Sequence, residues 1–167
     1  MSINLAMDFS VNKENHSITV KKVFAAELPL VWKAYTDSEI LDKWWAPKPW
    51  KARTKSMDFR EGGQWLYAMV GPNGEEHWSV ANYLKIQNQK SFTVKDGFTD
   101  SDGNINQDMP QSKWETDFSP IEDGTQVVFH ITYPSLADLE ATIQMGFKEG
   151  LTIAAEGLDE YFASLKK

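Results

Sequence analysis

Apolar and polar side chains alternate along the middle of the chain, from about residue 51 to residue 133. Short turns rich in Gly, Asn and Asp separate the alternating segments, as at Gly71-Pro72-Asn73-Gly74. Alternation gives each strand one apolar face, and Asn-Gly favours a hairpin because both residues tolerate positive φ. The pattern therefore predicts roughly six antiparallel strands. An earlier alternation predicts a strand pair, or an arm leading into a strand, at Met7, Phe9, Val11, Ile18 and Val20.

Two short helices are predicted between the first strand and this alternating region. Residues 28–35 carry apolar side chains at helical spacing, and Pro29 is tolerated in a first turn. Asp37 or Ser38 is a typical N-cap for a second helix that ends near Trp44.

The tail from residue 135 has the apolar stripe of a long amphipathic helix, and we expect a bend near Gly146, where the stripe changes phase. Residues 96–111 are rich in Asp, Gly and Asn and predict a flexible loop. Since strands and helices are segregated, the fold class is α+β, with an antiparallel sheet around the final helix. No linker or repeat divides the chain, so residues 1–167 are expected to form one domain.

Composition narrows the functional classes. The chain has 167 residues with 17 Lys+Arg against 24 Asp+Glu, a net charge of −7. This balance argues against nucleic acid and anionic membranes as partners, because both require clustered cations. Cysteine is absent, which excludes disulfides and thiolate chemistry. No apolar run approaches the length of a membrane span, so we expect a cytoplasmic protein.

Aromatic residues make up 13% of the chain and include seven Trp. If the rings on the strands share one concave face with apolar residues of the final helix, they enclose a pocket for an apolar or aromatic ligand. The alternative is that they fill an ordinary core. The predicted ligand-binding residues are Trp45, Trp65, Tyr67, Trp78, Phe92, Trp114, Phe118, Phe147 and Leu151.

Two further features have both a functional and a structural interpretation. Trp44, Trp45 and Trp50 form a dense cluster that could rim a ligand mouth, contact a protein, or cap the open side of the sheet. Glycines in the tail helix either leave a hollow beside the sheet or allow close packing: Gly146, Gly150 and Gly157.

Catalytic motifs are weak. His16, His77 and His130 are far apart and lack metal-ligand spacing. The segment from Asp100 to Asn104 has calcium-like oxygen spacing but no downstream Glu. We expect no catalytic residue, metal or cofactor.

Several segments together resemble the activator-of-Hsp90-ATPase-homologue (AHSA1-like) branch of the START/Bet v 1-like (SRPBCC) superfamily. They lie at 18–20, 31–37, 41–48, 58–63 and 71–75, and the Trp44-Trp45 and Gly71-Pro72-Asn73-Gly74 pieces are the most specific. The resemblance runs from about residue 12 to residue 165. In the family, this proline usually lies nearer to the position of Ala26, whereas here it is Pro29. The difference shifts only the loop before the first helix.

The resemblance implies a helix-grip fold, in which a curved sheet of six or seven strands grips the C-terminal helix and a cavity lies between. It also implies alternatives for function, because relatives of the eukaryotic co-chaperone bind Hsp90 and other branches bind apolar molecules or catalyse cyclisation. Our leading hypothesis is a non-enzymatic binding domain for a small hydrophobic molecule. The alternatives are a chaperone-associated interaction domain and a polyketide-cyclase-like enzyme with polar candidates Asn82, Thr116 and His77. A homodimer is left open.

Overall fold

The computed structural model describes residues 7–165, which form one eight-stranded antiparallel sheet and four helices. The strands are β1 (Asp8–Asn12), β2 (Ser17–Phe24), β3 (Lys51–Met57), β4 (Gln64–Val70), β5 (Glu76–Gln87), β6 (Ser91–Thr99), β7 (Gln111–Ile121) and β8 (Gly124–Thr132). The helices are α1 (Leu28–Thr36), α2 (Ser38–Trp44), α3 (Leu136–Gln144) and α4 (Phe147–Ser164). The sheet order is β1-β2-β8-β7-β6-β5-β4-β3, so β1 and β3 are its edges.

Local sequence signals account for most element ends. Gly74 adopts a φ of +85° in the turn between β4 and β5, as the Asn-Gly pair predicted. Asp37 caps α2 by accepting a hydrogen bond from the backbone N–H of Glu39 at 2.9 Å. Gly146 has a φ of +84° and separates α3 from α4, so the tail contains a break where a bend was expected.

The α+β class and the antiparallel sheet around a long C-terminal helix are confirmed. The sheet differs in strand number, because it contains eight strands where six or seven were predicted, and two of them precede the short helices.

The predicted loop over 96–111 was wrong at its start. Strand β6 continues to Thr99, since Asp96 and Gly97 pair with Ser112 and Gln111 of β7 and with Ala81 and Val80 of β5. Ladder hydrogen bonds on both sides override the low strand propensity of Asp and Gly.

Helix α1 closes one end of the concave face. Its Trp32 ring packs against Phe92 at 5.8 Å and Phe118 at 5.1 Å, while Tyr35 contacts Phe118 at 5.3 Å between ring centroids. The C-terminal half of α4 packs there too, with Phe162 at 5.7 Å from Phe24. This end of the molecule is a solid core.

A partly buried ion pair joins the same end of the sheet to α4. The Lys22 ammonium donates to both carboxylate oxygens of Asp159, at 3.0 and 2.9 Å, and its side chain is 5% exposed. Burial raises the pKa of Asp159, and Lys22 partly offsets that effect.

No helix within residues 7–165 is long and apolar enough to cross a membrane.

Candidate functional site

A cavity of about 520 Å³ lies between the sheet and the junction of α3 with α4. Strands β4 to β7 supply its floor, and Phe147, Gly150 and Leu151 of α4 cover it. Seven Phe, Tyr and Trp side chains line it: Trp45, Trp50, Tyr67, Phe98, Trp114, Tyr133 and Phe147.

The strand register explains why the lining side chains of β4 to β7 share one face of the sheet. Tyr67 lies opposite Ser79 and Ser79 lies opposite Phe98, while Asp96 lies opposite Ser112. Because side chains alternate between faces, the residues two positions along each strand, such as Trp114 after Ser112, point to the same side.

Five of the nine predicted binding residues line the cavity. They are Trp45, Tyr67, Trp114, Phe147 and Leu151. Trp114 lies 5.8 Å from Phe147 and 6.0 Å from Trp45 between ring centroids, so sheet, helix and α2–β3 connection meet at this ring.

The other four lie elsewhere. Phe92 and Phe118 belong to the solid core under Trp32. Trp65 is buried behind the wall, stacked on Tyr67 at 4.0 Å. Trp78 is on the opposite face of the sheet, beside the Arg53 and Lys55 cations at 5.7 and 5.9 Å from its ring.

Trp45 and Trp50 occupy different depths. Trp45 donates its indole N–H to the Tyr67 hydroxyl at 3.0 Å, so it forms part of the wall, where the sequence interpretation put it at the mouth. Half-buried Trp50 lies 5.3 Å from the exposed His77 ring and borders the opening.

The three tail glycines play different parts. Gly150 lines the cavity, and a Cβ there would lie 3.6 Å from Pro47 Cγ, an ordinary contact. Gly146 ends α3 with its positive φ. Gly157 lies outside the cavity, and no atom lies within 4 Å of a Cβ built on it. The hollow beside the helix is therefore associated with Gly146 and Gly150.

Asp96 is the charged lining residue that the sequence interpretation missed; Ser112 and Tyr133 were missed as well. Asp96 lies on β6 and accepts a hydrogen bond from the Ser112 hydroxyl, which itself accepts from the Trp114 indole N–H at 3.0 Å. It is half-buried, and it lines the cavity. Burial raises the pKa of Asp96 to about 6, while the hydrogen bonds from Ser112 act in the opposite direction.

A period-two signal for Asp96 was present. Phe92, Val94, Asp96 and Phe98 are spaced so that they share one face of a strand. Because residue 96 was expected to begin a loop, Asp96 was not among the predicted pocket residues.

Two tyrosines near Asp96 also have altered acidity. Burial raises the pKa of Tyr133 to about 12, an effect partly offset by the Thr142 hydroxyl. Burial raises the pKa of Tyr67 as well, and the charge of Asp96 adds to the increase. Both phenols are therefore neutral hydrogen-bonding groups near neutral pH.

The polar candidates named for a cyclase do not converge. Asn82 accepts from Gln64 at 3.3 Å and is outside the cavity, as is buried Thr116. His77 borders the opening. Within residues 7–165, no cluster of three or more His, Asp or Glu side chains could hold a metal ion.

Comparison with known proteins places this architecture in a family. Residues 25–163 match the family described as Activator of Hsp90 ATPase homolog 1-like protein. The chain belongs to this family. Its AHSA1-like domain has the helix-grip architecture of the SRPBCC superfamily, as the sequence resemblance implied.

Solved bacterial structures share the fold over most of their length. Protein Ms6760 from Mycobacterium smegmatis is 31% identical, with a TM-score of 0.85 over 92% of this chain and 94% of its own. A protein from Arthrobacter aurescens is 26% identical, with a TM-score of 0.85 over 91% and 88%. The AHSA1 protein SPO3351 from Silicibacter pomeroyi, at 19% identity and a TM-score of 0.71 over 90% and 99%, shares the fold. No functionally curated protein matches the chain at a significant level.

Proposed function

We propose that this AHSA1-like domain binds a small apolar or aromatic molecule in the cavity between the sheet and α4, and does so without converting it. The observation that carries the proposal is the cavity of about 520 Å³ with seven Phe, Tyr and Trp side chains in its lining. Its volume is in the range of ligand pockets, which are mostly apolar with a few polar groups that orient the ligand.

The placement of the polar groups supports a binding role. Asp96, Ser112 and Tyr133 line the same cavity as the rings of Trp114 and Phe147. A ligand with an apolar body and one polar group can therefore bury its body against the rings while the polar group keeps a hydrogen bond.

The test uses a neutral fluorescent probe, 2-(2-naphthyl)ethanol, with binding followed by quenching of tryptophan emission. We expect saturable binding to the wild-type protein and loss of binding in Gly150→Leu, because the new side chain begins in the cavity lining. Gly157→Leu is the matched control, since it adds the same side chain to α4 outside the cavity.

Retention of binding in Gly150→Leu, or an equal loss in both leucine variants, would contradict the proposed location. Native mass spectrometry of gently purified protein complements the probe, because an excess mass removed by denaturation identifies a natural occupant. The same spectrum reports whether the domain forms the homodimer left open by the sequence.

A second candidate function is acid–base catalysis, and the specific observation in its favour is Asp96. A carboxylate whose pKa is raised to about 6 by burial can exchange a proton with a bound substrate near neutral pH. If a co-purified occupant is converted by the wild-type protein and is bound but unchanged by Asp96→Asn, the cyclase-like alternative gains and the non-enzymatic role fails.

The family description favours a third candidate, a chaperone-associated role, because it names activation of the Hsp90 ATPase. The test is the ATPase rate of an Hsp90-type chaperone with and without this domain, and an unchanged rate counts against it.

Residence in the cytoplasm stays a prediction from the sequence.

A further inference from the structure

We propose that the cavity selects an organic cation, a protonated amine joined to an apolar body, and that Asp96 holds the ammonium group beside the aromatic wall. The inference rests on the proposed binding function and names the chemical class of its ligand.

The formal charge of the cavity lining is negative. Among the described residues that line it, Asp96 is the single carboxylate, and none is a lysine or an arginine. His77 is at the opening, where its ring is exposed beside Trp50. A bound carboxylate or phosphate would meet Asp96 with no lysine or arginine to offset the repulsion, whereas an ammonium group would gain an ion pair in a poorly solvated site.

The donors to Asp96 are neutral groups. The Ser112 hydroxyl donates to its carboxylate, and the Trp114 indole in turn donates to Ser112 at 3.0 Å. The other half-buried acid with a raised pKa, Asp159, has the Lys22 ammonium at 2.9 Å. Burying a charge is costly unless it is paired with an opposite charge. A cationic ligand would supply that partner for the Asp96 carboxylate.

The aromatic walls favour the same ligand. Tyr67 and Tyr133 line the same cavity as Asp96. Trp114 follows Ser112 by two residues on the same face of β7. Ring faces attract cations, so a carboxylate that shares its cavity with aromatic rings is suited to an ammonium group.

The charge of the whole chain acts in the same direction. A net charge of −7 produces a negative potential around the molecule, which raises the local concentration of cations and repels anions.

The experiment compares three naphthyl probes of matched size at low salt: 2-(2-naphthyl)ethylamine, 2-(2-naphthyl)ethanol and 2-naphthylacetate. We expect the amine to bind the wild-type protein about tenfold more tightly than the alcohol, and the carboxylate to bind most weakly. In Asp96→Asn the affinities for the amine and the alcohol should become about equal.

Asp117→Asn is the matched control, because it removes one negative charge from an exposed position on β7 and leaves the cavity unchanged. It should keep the amine preference nearly intact. If Asp96→Asn fails to fold, as judged by circular dichroism, the ranking of the three probes on the wild-type protein still decides the question.

The outcomes separate the two proposals. Equal affinity for amine and alcohol in the wild-type protein, or a preference that survives Asp96→Asn, overturns the cation inference and leaves cavity binding intact. A preference lost equally in Asp117→Asn also overturns it, because general electrostatic attraction then explains the result. Failure of all three probes to bind the wild-type protein overturns both proposals.

Discussion

Asp96 carries its carboxylate on a strand inside the sheet, and this position determines its acidity. Its backbone is held in the ladder between β5 and β7, so its side chain must point into the cavity. Burial then raises its pKa from 3.8 to about 6. The folded protein therefore binds a proton at Asp96 more tightly than the unfolded chain does, and the contribution of this group to stability decreases as pH rises from about 4 to 6.

Replacement of Asp96 by Asn removes this pH dependence. We expect the free energy of unfolding of Asp96→Asn, relative to wild type, to increase by about 1–2 kcal/mol between about pH 4.5 and pH 7.5. Urea denaturation followed by circular dichroism at both pH values measures the difference. The exposed Asp117→Asn variant should show little change, and a similar increase there would trace the effect to net charge.

At the scale of elements, helix α4 serves two roles along its length. Its first turns cover the cavity with Phe147, Gly150 and Leu151, and its later turns bury Leu158 and Phe162 against the sheet. The glycines in α4 follow this division, because Gly150 borders the cavity whereas Gly157 has free space around its Cβ position. Gly157 therefore weakens the helix without a packing reason within the described residues.

Gly157→Ala should stabilise the protein by about 0.5–1 kcal/mol, because alanine reduces the backbone entropy of the unfolded chain and meets no neighbour in the fold. Urea denaturation at neutral pH measures the gain. Gly146→Ala is the informative contrast: with its φ of +84° we expect a loss of about 1 kcal/mol. Stabilisation by both substitutions would show that the left-handed conformation at residue 146 is not required.

At the scale of the whole molecule, the space between sheet and helices is filled at one end and open at the other. Trp32, Tyr35 and Phe118 pack at the filled end, where Lys22 of β2 also pairs with Asp159 of α4. The cavity at the other end is bordered by the α3–α4 junction and the α2–β3 connection. We therefore expect that stability and the proposed ligand binding can be altered separately.

Lys22→Met tests this separation. It leaves Asp159 without its ammonium partner beside Phe24, so we expect a loss of about 1–3 kcal/mol in the free energy of unfolding, less than for a fully buried pair because Asp159 is 24% exposed. Affinity for the neutral naphthyl probe should stay within about twofold, since the pair is outside the cavity lining. The double variant Lys22→Met with Asp159→Leu should recover part of the stability. A large loss of probe affinity in the folded single variant would show that the two ends are coupled.

The local pattern of the sequence was sufficient for most of the strands, the cap at Asp37, the long tail helix and the inward direction of Tyr67 and Trp114. These features depend on alternation, helical spacing and single-residue backbone preferences, all of which act between neighbours in the chain. The family resemblance, carried by residues such as Trp44 and Trp45, was likewise readable from sequence alone.

Only the tertiary structure decided which inward side chains border empty space. Phe92 and Trp114 have the same strand pattern, yet Phe92 is covered by Trp32 of α1 while Trp114 faces the cavity. The placement of Asp96 depended in the same way on pairing with Ser112 on a strand that begins 15 residues later, at Gln111. Packing between distant elements determines these outcomes, because a side chain's period gives its face but not its neighbours.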